Sequence, residues 1–354
     1  MFMAEMVIWA QSVCRSTMAL YREVKRQAGV PVTVVVRQSK RGEWTRQLRE
    51  SQGQDVDEFA DVVDLVWNGK EESGRSIFVR HSGASAVHVF SGYQVSAAVR
   101  ALMQEAKKKG LSVIEYDEAP CEMCVGWKAV LKRFYYRWVL PFKVRRAVTA
   151  AVVFINASGQ KGIDRLRQLG WPNEKIVPFG YASEAGLLAH RRTDGERSGK
   201  GHCLCVLHTG VEAKYRGVDT LKKAVCILRE RGVDVAVKFT GGKVDTTDLL
   251  GLYEWADVFV ACGLCEPWGM RVNDAIHAGL PVFVSDGMGA KWLVEQFGCG
   301  CVFAKGNAES LADSLVRFVN DDKWRAALEA GVSVAHNAWT PEARAKAFLD
   351  ILRK

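Results

Sequence analysis

The chain has 354 residues, 48% apolar and 25% charged, which is enough for two domains with separate cores and too apolar for a disordered or fibrous protein. Its longest apolar run, near Ala147 to Ala157, falls well short of the ~20 residues that a membrane-spanning helix needs. The net charge of +9 is lopsided: residues 1–200 carry 31 Lys and Arg against 21 Asp and Glu, and the remainder 18 against 19, so an anionic partner is expected to meet the first half.

The chain opens with Glu5 ahead of an apolar patch and without a basic leader, so a cytoplasmic location is expected, peripheral on the inner face of a membrane if it meets one. Residues 5–36 read as strand, helix, strand: "MVIWA", an amphipathic stretch with Met18, Tyr21 and Val24 on one face, then "VPVTVVVR". Asp55 and Asp57 form a D-x-D with no apolar strand directly before it, which reads as a solvated acidic face and not as a metal site. Further strands are expected near "IFVR", "AVHVFSG", "LSVIEYDEAP" and "AVVFINAS", with helices between them, and that alternation predicts a parallel, doubly wound sheet. Loops at the strand ends then become candidate ligand contacts: His88, Tyr93 in the "SGYQ" turn, and Asp117 and Glu118 just past "SVIEY".

Residues 126–148 carry seven cations and no acid, interleaved with Trp127, Val130, Leu131, Phe134, Tyr135 and Trp138. Such density suits an interfacial helix on an anionic membrane or a groove for a phosphate-bearing lipid, with Lys132, Arg133, Arg137, Arg145 and Arg146 facing the lipid. No RNA- or DNA-binding motif accompanies the charge, so nucleic acid is not expected as a partner.

Residues 191–202, polar and glycine-bearing, read as a linker between a first domain at 1–190 and a second at 203–338, and residues 339–354 as a helix returning to the first. The second half again alternates: strand "CLCVLHTG", helix "GVDTLKKAVCILRERG", strand "VDVAVKFTGG", helix "TDLLGLYEWA", strand "DVFVACG", then "EPWGMRVNDAIHAG", strand "LPVFVS", a helix after "DGMGA", strand "GCVFA" and helix "AESLADSLVRFVND". Two Rossmann-like α/β domains facing a cleft are the expected fold. Ten cysteines include two C-x-x-C pairs, Cys121/Cys124 and Cys262/Cys265, far apart in the chain; reduced, mostly buried thiols are expected and no metal site.

"EPWGMRVNDAIHAGLPV" parses as a strand-to-helix corner, a helix from about Gly269, and a stop at Ala278-Gly279. The backbone N–H groups of Gly269, Met270 and Arg271 would lie at the helix N-terminus, beside the Arg271 charge and Trp268, and make a diphosphate seat. Glu266 and Asp274 lie eight residues apart, up to ~12 Å along the helix direction, so each could grip vicinal hydroxyls on either side of a diphosphate. A nucleotide sugar has that shape.

The run Glu266-Pro267-Trp268-Gly269, Asp274-Ala275, Gly279-Leu280-Pro281-Val282, with "HTGVEAKYRGVDTLKKA" upstream, resembles glycosyltransferase family 4, retaining enzymes of the GT-B fold. The similarity reaches the first domain at "LRQLGWPNEKIVPFGYASE". Three positions depart from the family pattern: its second Glu is Asp274, its Arg after Gly210 is Val211, and its Lys is Arg216, which leaves Arg216 and Lys214 as candidates for the diphosphate. Gly241 and Gly242, in a shortened stretch, would meet either phosphate or nucleobase. The resemblance implies transfer of a hexose-type sugar from a nucleoside diphosphate to a glycan or glycolipid acceptor without metal or cofactor. Glu266 would hold the sugar and Asp274 the ribose, the leaving phosphate would take the acceptor proton, and the first-domain loops would contact the acceptor. An epimerase of the same architecture and a donor-binding protein without catalysis are the alternatives.

Overall fold

The computed structural model describes residues 3–37, 56–68, 70–182, 203–210, 213–240 and 246–353. The chain forms two compact units, one of Met1–Pro120, Val130–Ala182 and Pro341–Lys354, the other of Cys121–Ala129 and Ser183–Thr340. A first domain running unbroken over 1–190 is thereby corrected: Cys121–Ala129 groups with the second unit, where the Cys121 sulfur meets that of Cys265. The linker proposed at 191–202, Asp55, Val211, Gly241 and Gly242 lie outside the described residues.

In the first unit seven strands form one parallel sheet: β1 (Glu5–Ala10), β2 (Val32–Arg37), β3 (Leu65–Trp67), β4 (Ala86–Phe90), β5 (Ser112–Asp117), β6 (Val153–Asn156) and β7 (Ile176–Pro178). Their order is β3-β2-β1-β4-β5-β6-β7, reversing direction between β1 and β4. Helices α1 (Arg15–Gln27), α2 (Glu71–Arg80), α3 (Ala97–Lys108), α4 (Trp127–Trp138), α5 (Leu140–Ala150) and α6 (Gly159–Gln168) occur between the strands. One face of the sheet packs Met18, Leu20 and Val24 of α1; the other packs Phe78, Leu102, Met103 and Val144. "IFVR" is therefore helix, not strand: Ile77 and Phe78 are the buried face of α2, whose Gly74 lies so close to Trp67 that a Cβ there would meet the indole at 2.8 Å. The strand belongs to "LVW" at Leu65–Trp67, in register with β2.

The second unit holds five parallel strands, β8 (Leu204–Thr209), β9 (Val235–Thr240), β10 (Val258–Ala261), β11 (Val282–Ser285) and β12 (Gly300–Phe303), in the order β12-β11-β10-β8-β9. Its helices are α7 (Val218–Glu230), α8 (Thr246–Trp255), α9 (Met270–His277), α10 (Lys291–Phe297), α11 (Ala308–Asn320) and α12 (Asp322–Ala338). The core joins Leu221 and Leu228 of α7 to Val206, Val258 and Phe283 of the sheet and Leu311 and Leu315 of α11. The last helix, α13 (Pro341–Arg353), belongs to the first unit and buries Ala345, Phe348, Leu349 and Leu352 there.

Candidate functional site

The chain places β9 and β10 on opposite sides of β8, so the connections leave the C-terminal ends of β8 and β10 in opposite directions and open a crevice, the usual ligand position in such sheets. A pocket occupies that place. It is lined from β8 by His208 and Thr209, after β10 by Cys262, Gly263 and Glu266, and by Arg216, Gly269, Arg271 and Met288.

The corner after β10 is held by backbone bonds to the loop after β11. Glu266 N–H donates to the Gly287 carbonyl at 3.1 Å, Gly289 N–H to the Glu266 carbonyl at 3.2 Å, and Ala290 N–H to the Trp268 carbonyl at 3.0 Å. Ser285 hydroxyl donates to the Gly263 carbonyl, and Gly287 N–H to the Ser285 hydroxyl oxygen at 3.2 Å. Gly287 must be glycine, since a Cβ would lie 2.2 Å from the Gly263 carbonyl oxygen. Trp268 is 1% exposed and donates from Nε1 to Asn273 Oδ1 at 2.8 Å. Its expected role as a donor contact is corrected accordingly: it is the core anchor that fixes the corner on α9.

Gly269, at φ +108°, precedes α9 without a capping side chain; Val272 N–H donates to the Gly269 carbonyl at 3.0 Å, and the N–H groups of Met270 and Arg271 come before the first intrahelical bond. Two cations stand near. Arg216 Nη1 lies 3.6 Å from Glu266 Oε1, an ion pair too long for a hydrogen bond, and Arg271 Nη1 donates to Asp274 Oδ2 at 3.2 Å. Burial pushes the Glu266 carboxyl up and the Arg216 charge partly opposes it. Lys214, in a short 3-10 turn (Lys214–Arg216), is exposed and does not line the pocket, which leaves Arg216 as the basic group contributed by this loop. Gly210 gives Arg216 its room, since a Cβ there would meet Nη1 at 3.0 Å. Glu266, Gly269, Arg216 and Arg271 thus share one pocket, with Asp274 tied to its rim through Arg271.

Among the described residues, three polar atoms that line this pocket are buried without a hydrogen-bond partner: His208 Nε2, Thr209 Oγ1 and Arg216 Nε. Such atoms cost free energy unless a ligand or water meets them. His208 Nδ1 donates to the Val260 carbonyl at 2.8 Å; a carbonyl only accepts, so Nδ1 carries the proton and Nε2 offers a lone pair. Burial also lowers the His208 pKa, keeping it neutral. Sequence reasoning missed His208, Thr209 and Met288. The first two could have been found, because they are the last residues of the strand that the topology sets at the crevice.

The first-domain candidates fare differently. His88 is 0% exposed on β4, where Trp9 Nε1 donates to its Nδ1 at 3.1 Å, and Tyr93 is 0% exposed with its hydroxyl accepting from Trp171 Nε1 at 3.1 Å. Both are core residues and the expectation that they reach a ligand is corrected: His88 sits in a strand of a parallel sheet that is buried on both faces, and Tyr93, in the turn after it, packs edge-on against Phe154 and Trp171. Asp117, at the end of β5, accepts from the N–H groups of Gly92 at 2.9 Å and Glu118 at 2.8 Å and braces that turn; burial raises its pKa to about 6. Glu118 is half-buried beside it. Asp57 is exposed, and its D-x-D partner lies outside the described residues.

The basic stretch is two helices, interrupted just before Pro141. Trp127, Val130, Leu131, Phe134, Trp138 and Phe142 are all more than half exposed, and Lys132, Arg133, Arg137, Arg145 and Arg146 are exposed among them. Only Ala129 of α4 is buried.

Residues 210–331 match the family described as Glycosyl transferases group 1. Over 211 residues the chain is 26% identical to the lipopolysaccharide core biosynthesis glycosyltransferase LpsE of Rhizobium meliloti, covering 53% of this chain and 61% of that relative, so less than two thirds of the relative is spanned. Among solved structures, Anabaena HepE in complex with UDP and glucose aligns with a TM-score of 0.63 at 13% identity over 99% of both chains. The sucrose-phosphate synthase of Thermosynechococcus elongatus aligns at 0.60 and 13% over 99% of this chain and 98% of its own. At such identities these likenesses establish the fold: two Rossmann-like units with parallel sheets, as in GT-B glycosyltransferases.

Proposed function

We propose that this chain is a glycosyltransferase that moves a hexose-type sugar from a nucleoside diphosphate to a glycan or lipid-linked acceptor, with retention and without magnesium or manganese at the diphosphate. The observation that carries the reading is the pocket in which Glu266 lies 3.6 Å from Arg216 beside the uncapped start of α9. The helix N-terminus, Arg216 and Arg271 supply positive potential for the diphosphate. Glu266 accepts from the sugar hydroxyls, and Asp274 from the ribose. His208 Nε2 and Thr209 Oγ1, buried without partners among the described residues, gain them when the donor arrives. On the leaving side, the same positive groups stabilise the charge that grows on the β-phosphate as the glycosidic bond breaks. That phosphate oxygen takes the acceptor proton on the same face.

UDP and glucose in the Anabaena structure make UDP-glucose the first donor to try. Thermal melting against UDP, GDP and ADP and their sugars should show one base stabilising the chain above the others, by several degrees at saturating ligand. Transfer with that donor and a lipopolysaccharide-core acceptor should follow without added magnesium. Stabilisation with neither transfer nor hydrolysis would instead favour a binding protein, and sugar epimerisation without an acceptor would favour the epimerase.

The exposed aromatics and cations of α4 and α5 support attachment to an anionic membrane, where lipid-linked acceptors reside. Vesicles containing anionic lipid should co-sediment the protein, less so as salt rises, because the attraction is screened. Replacing Lys132, Arg133, Arg137, Arg145 and Arg146 together by Gln should release it while leaving nucleotide binding intact; equal binding to neutral vesicles would refute the electrostatic account.

A further inference from the structure

The C-x-x-C pairs at 121/124 and 262/265 look unrelated in sequence, yet the second unit joins one member of each. Cys121 Sγ lies 3.0 Å from Cys265 Sγ, across 144 residues of chain. Glu122 Oε2 lies 3.5 Å from Cys265 Sγ, and one donor atom from each of the three residues falls within 4.8 Å of the others. Glu122 is only 8% exposed, so its carboxylate lies in the interior beside the two sulfurs. Met123 adopts φ +46°, a left-handed conformation that side chains rarely take.

We propose that Cys121, Glu122 and Cys265 bind one thiophilic divalent cation of the zinc class. Two sulfurs and one carboxylate suit zinc and oppose magnesium, which takes oxygen ligands and retains its waters. Binding releases a proton from each thiol and leaves the cation bonded to two thiolates and one carboxylate, with water completing the tetrahedron. At a metal–sulfur distance of about 2.3 Å, tetrahedral ligation sets the sulfurs about 3.8 Å apart, so from 3.0 Å they must separate by about 0.8 Å. The cation would tie the Cys121–Ala129 segment to the corner whose next residue is Glu266. It is a structural clamp, separate from the diphosphate seat.

The test uses the full chain, kept reduced and titrated with Co²⁺ alone. One Co²⁺ per chain should bind and give a near-ultraviolet thiolate-to-cobalt band. Cys121→Ser and Cys265→Ser should each cut that band to about half or less, as one thiolate replaces two. Glu122→Gln should weaken uptake while keeping the band at saturation, and Cys124→Ser, outside the cluster, should change neither. Zn²⁺ should raise the melting temperature of the parent chain and not of Cys121→Ser, with circular dichroism confirming that the variant is folded. Uptake unchanged in Cys121→Ser, absence of saturable uptake, or metal-free protein carrying a Cys121–Cys265 disulfide would each overturn the assignment.

Discussion

Glu266 and Asp274 lie eight residues apart but in different electrostatic settings, and that difference should govern how each fails. Glu266 is pushed up by burial and faces Arg216 at 3.6 Å, with no side-chain bond as short as the 3.2 Å one from Arg271 to Asp274. A carboxylate left at that distance is available to sugar hydroxyls. Glu266→Gln keeps its shape and removes the charge, so turnover should fall about 10- to 1,000-fold while bare nucleoside diphosphate still binds, as calorimetry against both ligands can show. Asp274→Asn should weaken diphosphate and nucleotide sugar alike by roughly 1–3 kcal/mol, partly because it loosens Arg271 from its place at the start of α9. Loss of diphosphate affinity in Glu266→Gln alone would mean that the two roles are exchanged.

At the scale of elements, α13 shows how a terminal helix becomes part of another unit's core. Its apolar residues Ala345, Phe348, Leu349 and Leu352 recur at helical spacing and pack beneath the first sheet. Phe348 meets Tyr116 edge-on at 5.5 Å and Phe179 at 5.8 Å, and Arg344 Nη2 donates to the Phe179 carbonyl at 2.8 Å. Phe348→Ala should therefore cost about 3–5 kcal/mol, and in denaturant only the first unit's transition should move to lower concentration, leaving nucleotide binding by the second unit intact. A single shifted transition for the whole chain would show instead that the units unfold together. Elements of this kind were legible from periodicity, as were the corner at Glu266 and the strand–helix alternation of the second half. "IFVR" was not, because three apolar residues and an arginine fit a strand or one turn of helix equally well, and the deciding contact, Gly74 against Trp67, is tertiary. The Cys121–Cys265 contact escaped for the same reason: spacing in sequence carries no information across 144 residues of intervening fold.

Across the whole molecule, buried titratable groups are unevenly shared between the units, and this sets which one yields first to acid. His88 in the first unit and His277 in the second are 0% and 3% exposed, and burial holds each near a pKa of about 4, below the ordinary 6.5. The unfolded chain then binds protons that the folded one refuses, so the stability each histidine lends is full above about pH 6.5 and is lost as pH falls toward 4. Asp117 acts in the opposite sense in the first unit: its pKa, raised from 3.8 to about 6, makes the folded form take up a proton first and gain stability over nearly the same range. His88 and Asp117 therefore largely offset each other. In the second unit His208, also lowered, adds to His277, while the raised carboxyl of Glu266 opposes them. His277 ends α9, the helix whose other end is the proposed diphosphate seat, and its ring faces His336 at a centroid distance of 5.0 Å, a neighbour that further lowers the His277 pKa. Replacing it isolates its share from every other group. Between pH 7 and pH 5 the parent chain should lose about 2 kcal/mol more stability in its second unit than His277→Gln does, as measured by urea unfolding at each pH with nucleotide binding as the readout for that unit. Equal losses in the two proteins would mean that His277 is protonated in the folded chain, and acid lability would then have to come from elsewhere in the second unit.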